Sequence, residues 1–222
     1  MRMLLSFKTQ SILPALLICC MLLMVSCQNE EEATPDLVQE EYTLMSTFLN
    51  ESLSEGKVVV DEYTSHPLSG IWTFGNDKAV VAERLQGYVP DADPALIEQM
   101  LNLAEDTTLH ERSFSSYNNE VVVLTAAERA QIFRSDRTAA ENWSEFTDQF
   151  GDGENLFIIS RVAFNEDRTQ ALFSVINYFI QTNDNLPDGY NVGYGNLVFF
   201  SKQPDTDEWV SEPVVATAWV LN

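Results

Sequence analysis

The chain has 222 residues and a formal net charge of −22 at pH 7, because 34 acidic residues outnumber 12 basic ones. Binding to nucleic acid depends on cationic side chains that release counterions from phosphates, so this charge argues against DNA or RNA as a partner. The same charge would repel anionic lipid head groups and keep the body of the protein off a membrane surface.

The first 26 residues have the pattern of a secretory signal. Arg2 and Lys8 precede an apolar run over residues 12–25, and Ser26 separates this run from Cys27 and an acidic stretch. The run is shorter than the roughly 20 apolar residues that a membrane span needs. Residues 23–27 resemble the lipobox of bacterial lipoproteins, with methionine at the second position where leucine is usual. The resemblance implies removal of residues 1–26 and lipidation of Cys27.

Removal of the signal changes the cysteine content and the charge of the chain. Cys19 and Cys20 leave with it, so the mature chain has no cysteine for a disulfide, a metal site or a nucleophile. The remaining chain then has ten basic and 34 acidic residues, which gives a formal charge of −24. The acidic residues after Cys27 resemble the export signal of surface lipoproteins in the Bacteroidetes. We therefore expect an outer-membrane lipoprotein, with the cell surface favoured over the periplasm.

Residues 27–35 read as an acidic tether, and residues 36–222 as a single domain of ordinary size. A helix is predicted from Asp36 to Gly56, because apolar residues recur every three to four positions. These positions are Val38, Tyr42, Met45, Leu49 and Leu53. Residues 57–64 predict a strand, residues 71–89 fit no single pattern, and Asp93-Pro94 begins a helix that reaches about Ala104.

The second half of the domain is richer in strand patterns. Residues 120–124 predict a short strand, Thr125 to Glu128 form a capping box, and a helical segment carries Trp143, Phe146 and Phe150. Four strands follow, at residues 156–165, 171–181, 195–202 and 208–220. Short turns favour antiparallel neighbours. The predicted fold class is therefore α+β, with N-terminal helices packed on an antiparallel meander of about four strands.

One recurrent motif pattern runs through this half. It consists of Trp143-x-x-Phe146, the strand over residues 158–165, Thr169-Gln170-Ala171-Leu172, Gly193-x-Gly195 and Trp209. It resembles a family of uncharacterised secreted and lipid-anchored bacterial proteins, with Ala163 where that family usually has glycine. The family has no established activity, so the resemblance implies no catalytic residue.

Two features suggest binding. Arg161 lies in an otherwise apolar strand, so it either pairs with a carboxylate that fixes the sheet or contacts an anion in a pocket. Residues 182–196 combine tyrosine, asparagine, aspartate and glycine, which is typical of a recognition surface and makes Tyr190 and Tyr194 candidate binding residues. The alternative for this segment is a hairpin connection in which glycine and asparagine supply positive φ.

Catalytic chemistry is sparse in the sequence. His66 and His110 belong to no metal-ligand spacing, and Asp61 and Glu62 are neighbours on a predicted strand, so they point to opposite faces. We predict no metal and no cofactor. The leading hypothesis is a non-catalytic, membrane-anchored binding or accessory domain that contacts the membrane through its lipid alone, with a glycan or an envelope protein as partner. The alternative is a hydrolase or isomerase that uses these four residues in a curved antiparallel sheet, as in ketosteroid isomerase.

Overall fold

The computed structural model describes residues 35–52, 56–67, 77–103, 107–115, 119–151, 155–183 and 186–221. The chain divides into two units, Met1–Val38 and Gln39–Asn222, and every side-chain contact described below lies in the second. The predicted signal and Cys27 lie outside the described residues, and so does the tether up to residue 34.

Helices and strands alternate along the first two thirds of the domain. In chain order they are α1 (Pro35–Ser52), β1 (Gly56–Asp61), α2 (Lys78–Tyr88), α3 (Pro94–Met100), a 3-10 turn (Glu111–Ser113), β2 (Asn119–Leu124), α4 (Ala126–Ile132) and α5 (Ala139–Phe150). Five strands follow: β3 (Leu156–Ile159), β4 (Ala163–Phe164), β5 (Gln170–Asn183), β6 (Leu186–Lys202) and β7 (Trp209–Leu221). The ambiguous segment at residues 71–89 thus contains α2, which begins at the side-chain cap of Asp77.

The described strands form one seven-stranded mixed sheet in the order β2-β1-β3-β5-β6-β7, with β4 pairing with β5. β1 is parallel to β2 and to β3, whereas all pairs from β3 onward are antiparallel. The predicted antiparallel four-stranded meander is therefore wrong. The reason is that helical connections follow β1 and β2, and such connections return the chain to the same end of the sheet for parallel pairing.

The hairpin of β5 and β6 corrects a second prediction. Residues 182–196 were expected to form a connection, but β6 begins at Leu186 and its residues pair with β5 in nearly continuous register. Tyr190, Val192 and Tyr194 alternate with smaller residues at the period of a strand, and tyrosine and valine favour strands. Each also finds a partner on β5, so tertiary pairing outweighs the local preference of glycine and asparagine for turns.

Two pairs of helices pack on one face of the sheet. The first core cluster joins α2 and α3 to the strands; it contains Val81, Leu85, Leu96, Ile97, Met100, Leu101, Leu172 and Phe199 among others. The second joins α4 and α5 to the strands and contains Val59, Leu124, Ile132, Trp143, Phe146, Phe150 and Leu156, with Tyr178 packed against it. The apolar residues of α3 and α5 thus face the core.

The opposite face of β5 carries α1. Phe48 of α1 packs edge-on against Phe173, with ring centroids 6.0 Å apart, and Phe173 stacks on Phe200 of β6 at the same distance. Leu172 and Phe173 are neighbours on a strand, so they point to opposite faces. Within the described residues, none of the helices is long and apolar enough to span a bilayer.

Candidate functional site

Arg161 is held by the first helix. Its Nε and Nη2 donate to the two carboxylate oxygens of Glu41, at 2.8 and 2.5 Å, in a bidentate pair. The side chain of Glu41 is 7% exposed and that of Arg161 24%. The hydrogen bonds from Arg161 to Glu41 raise the pKa of the guanidinium above its ordinary value, so Arg161 stays charged. Arg161 also lies between β3 and β4 rather than inside one continuous strand.

Glu40, the preceding residue of α1, collects a second set of partners. Its Oε2 accepts from the Arg168 guanidinium, and its Oε1 accepts from Trp209 Nε1 at 3.2 Å and lies 3.7 Å from Lys202 Nζ. Arg168 also lies over the Phe164 ring at 4.5 Å, and Lys202 over the Trp209 ring at 4.9 Å. We call Glu40, Glu41 and the three cations that hold them the acidic clamp.

The two acidic residues proposed for catalysis have structural partners. Asp61 is buried at the end of β1, where it accepts from the Tyr63 N–H at 3.1 Å and from Arg129 Nη1 at 2.8 Å. Glu62 accepts from the Ala126 N–H at 2.7 Å, at the first residue of α4. Both carboxylates therefore fasten the connection between β1 and α4.

The two histidines lie near this connection. His66 follows Ser65, whose N–H donates to Ile159 O at 3.1 Å, and the exposed His110 uses its backbone N–H to reach Tyr42 Oη at 2.9 Å. No three His, Cys, Asp or Glu side chains in the described ranges form a group that could hold a metal ion. The analogy with ketosteroid isomerase assumed an antiparallel sheet, and the mixed sheet removes that premise.

A different surface lies on the far half of the β5–β6 hairpin, on the face that carries α1. Asn177 and Phe179 of β5, and Tyr194 and Asn196 of β6, share this face, and we call them the hairpin platform. Asn177 lies directly opposite Tyr194 in the register. The Phe179 and Tyr194 rings stack with centroids 5.3 Å apart and planes 13° apart. Tyr194 remains 39% exposed although Phe179 stacks on one face of its ring, and we call the side turned away from Phe179 its open face.

Asn177 adds a polar group with an unusual environment. Asn177 as a whole is partly exposed, but its Oδ1 atom is buried and has no hydrogen-bond partner among the described residues. A buried acceptor without a donor costs about 1–3 kcal/mol. The partly exposed Asn196 lies two positions from Tyr194 on the same strand face. The platform thus combines an open aromatic face with an amide that has unused hydrogen-bonding capacity.

The structure places the binding residues predicted from the sequence at different sites. Tyr194 belongs to the platform; Tyr190 pairs with Gln181 in the register, but its side chain lies outside the described set. Arg161 belongs to the acidic clamp. Asn177 and Phe179 were missed, although they continue the alternation of β5 beyond Val175 and could have been read as one strand face.

Comparison of the chain with protein-family models, curated proteins and solved structures gives no match. The resemblance to a family of lipid-anchored bacterial proteins therefore stays a prediction. The function has to be argued from the residues of this chain.

Proposed function

We propose that this protein is a membrane-anchored envelope lipoprotein whose folded domain is a non-catalytic binding or accessory module. The binding surface in this proposal is the hairpin platform. The observation that carries it is the exposed Tyr194 ring, stacked on Phe179 and directly opposite the buried Asn177 oxygen.

The platform has the properties of a preorganised binding surface. Phe179 supports the Tyr194 ring from one side, and both lie on paired strands, so little side-chain freedom is lost when a ligand stacks on the open face. Tyrosine supplies a large, amphipathic contact area at low entropic cost, which is why it dominates recognition surfaces. A half-turn of the partly exposed Asn177 amide would bring its buried oxygen to the surface, where a ligand donor would recover part of the cost of burying that acceptor.

The proposed anchor would tether the chain to a membrane. Cys27 precedes the first residue of α1, Pro35, by eight positions. A chain spans at most about 3.6 Å per residue, so a lipid on Cys27 lies within about 29 Å of Pro35. An accessory domain on so short a tether acts on molecules of the envelope rather than at a distance.

The binding proposal is tested with the mature protein, purified in detergent from the cells that produce it and applied to a glycan array and to an immobilised extract of envelope proteins. We expect retention on at least one of them, and a loss of at least tenfold in Tyr194→Ala, which should stay folded with only the small loss of stability that follows from the lost ring stacking. The matched control is Tyr88→Ala, because Tyr88 is 45% exposed on α2, which packs on the sheet face opposite the platform, and its removal should leave retention unchanged. Retention on neither surface, or retention that Tyr194→Ala leaves intact, contradicts the proposal.

The anchor is tested separately by metabolic labelling with an acyl-chain probe. The wild-type protein should be labelled and Cys27→Ser should not, because the cysteine sulfur is the acceptor of the lipid. Label that persists in Cys27→Ser contradicts the lipoprotein assignment and leaves the binding experiment unaffected.

A further inference from the structure

The open face of Tyr194 selects for a particular kind of contact. The face of an aromatic ring carries partial negative charge, so it attracts C–H groups that are polarised by neighbouring oxygens. The ring planes of Tyr194 and Phe179 differ by 13°, so Phe179 covers one flat face of the Tyr194 ring, and a ligand that stacks on Tyr194 uses the other face. A saturated ring with several C–H bonds on one side, as in a pyranose sugar, matches such a surface.

Asn177 places a hydrogen-bonding group one strand away from that ring. Residues directly opposite each other in an antiparallel pair have Cβ atoms about 4.5–5.5 Å apart. A single ligand that stacks on Tyr194 and reaches Asn177 must therefore carry a polar group at the rim of its own ring. A half-turn of the amide exchanges its oxygen and nitrogen, and a hydroxyl can both donate and accept, so a hydroxyl pairs with either orientation.

The charge of the protein excludes anionic ligands from this surface. All four platform residues are uncharged, and the mature chain has a formal charge of −24. Ion pairs with carboxylates already engage six of its basic residues, namely Arg129, Arg134, Arg137, Arg161, Arg168 and Lys202. An anionic sugar would meet net repulsion without a cation of the platform to offset it.

We infer that the hairpin platform binds a neutral pyranose glycan, with one sugar ring stacked on Tyr194 and one of its hydroxyls hydrogen-bonded to the Asn177 amide. This inference rests on the proposed function and names its ligand class. Asn196, on the same face, lies where it can contact the next hydroxyl along the glycan.

The experiment measures binding of the mature protein in detergent to defined oligosaccharides by titration. The neutral probes are linear hexaoses of glucose, mannose and galactose, and the anionic probe is a hexamer of galacturonic acid. We expect binding to at least one neutral hexaose and at least tenfold weaker binding to the galacturonic acid hexamer. Tyr194→Ala and Asn177→Leu should each reduce the affinity at least tenfold, whereas Tyr194→Phe and the control Tyr88→Ala should retain it.

The outcomes separate this inference from the proposed function. Tyr194-dependent retention on envelope proteins together with no binding to any neutral hexaose overturns the glycan inference and leaves the binding module standing. Preference for the galacturonic acid hexamer, or neutral binding that Asn177→Leu leaves unchanged, also overturns it. Retention and affinity that Tyr194→Ala leaves unchanged in every assay overturn both proposals. Thermal unfolding of each variant shows whether a loss of affinity reflects a loss of fold.

Discussion

The two ends of the β5–β6 hairpin differ in whether their polar side chains have partners. At the end near Lys202, the acidic clamp gives the carboxylates of Glu40 and Glu41 cationic partners. At the other end, in the described part of the chain, the Asn177 oxygen is buried without a donor beside an exposed ring. Buried polar groups are costly unless paired, so the first arrangement serves to hold the fold together and the second leaves capacity for a ligand.

Arg161→Leu breaks the clamp where it is most buried, and we expect the largest effect there. The change leaves the buried carboxylate of Glu41 without its cationic partner, so the free energy of unfolding should fall by about 3 kcal/mol. Urea denaturation measures it. The double variant Glu41→Leu/Arg161→Leu removes both charges and should recover most of the loss. A single variant as stable as the wild type would show that the clamp does not hold the fold.

Glu40→Gln tests the more exposed half of the clamp. Arg168 and Lys202 are partly exposed, so water compensates them when the carboxylate is neutralised, and we expect a loss of about 1 kcal/mol. The difference between wild type and variant should shrink in about 1 M salt, where screening acts over a few ångströms. A difference that is independent of salt would point to lost packing instead of lost charge.

Asn177→Leu should act with the opposite sign at the other end of the hairpin. The substitution removes a buried acceptor that has no donor among the described residues, so stability should stay unchanged or rise by up to about 1 kcal/mol. Thermal and urea unfolding measure the effect. A clear loss of stability would mean that the amide is structurally engaged, and the contrast between the two ends would fail.

Tyr178→Phe sharpens the contrast between the two faces of the same strand. Tyr178 points to the α5 side, where burial raises its pKa above the ordinary value of 10.0. Above about pH 10 the unfolded chain loses this proton while the folded chain keeps it, so wild-type stability falls as the pH rises towards the folded pKa. The difference in stability between wild type and variant should be flat below pH 10 and change above it. A flat difference throughout would mean that this face is open to water.

The parts of the fold that could be predicted are those with local causes. The three-to-four spacing on α1 and the stripe of Trp143, Phe146 and Phe150 follow from helix geometry, and the Thr125 capping box follows from two residues three apart. Each of these features is encoded within one or two turns of the chain.

The parts that could not be predicted depend on distant partners. Parallel pairing of β1 joins Val59 to Leu156, and no turn signal in either segment records that neighbour. The platform needs the register that sets Asn177 against Tyr194, which depends on where β6 begins. Arg161 could be read as a residue in need of a carboxylate, but the choice of Glu41 on α1 is a property of the packed domain.

The parallel pairing of β1 also has a consequence for the order of assembly. Gly56 pairs with Asn119 and Val59 with Leu156, whereas β5, β6 and β7 are joined by short turns. Closing a long loop costs more entropy than closing a short one, and non-local contacts slow folding. We therefore expect the C-terminal hairpins to form early and β1 to dock late. β1 is synthesised before β2 and β3, so it would stay unpaired until both of its neighbouring strands are available.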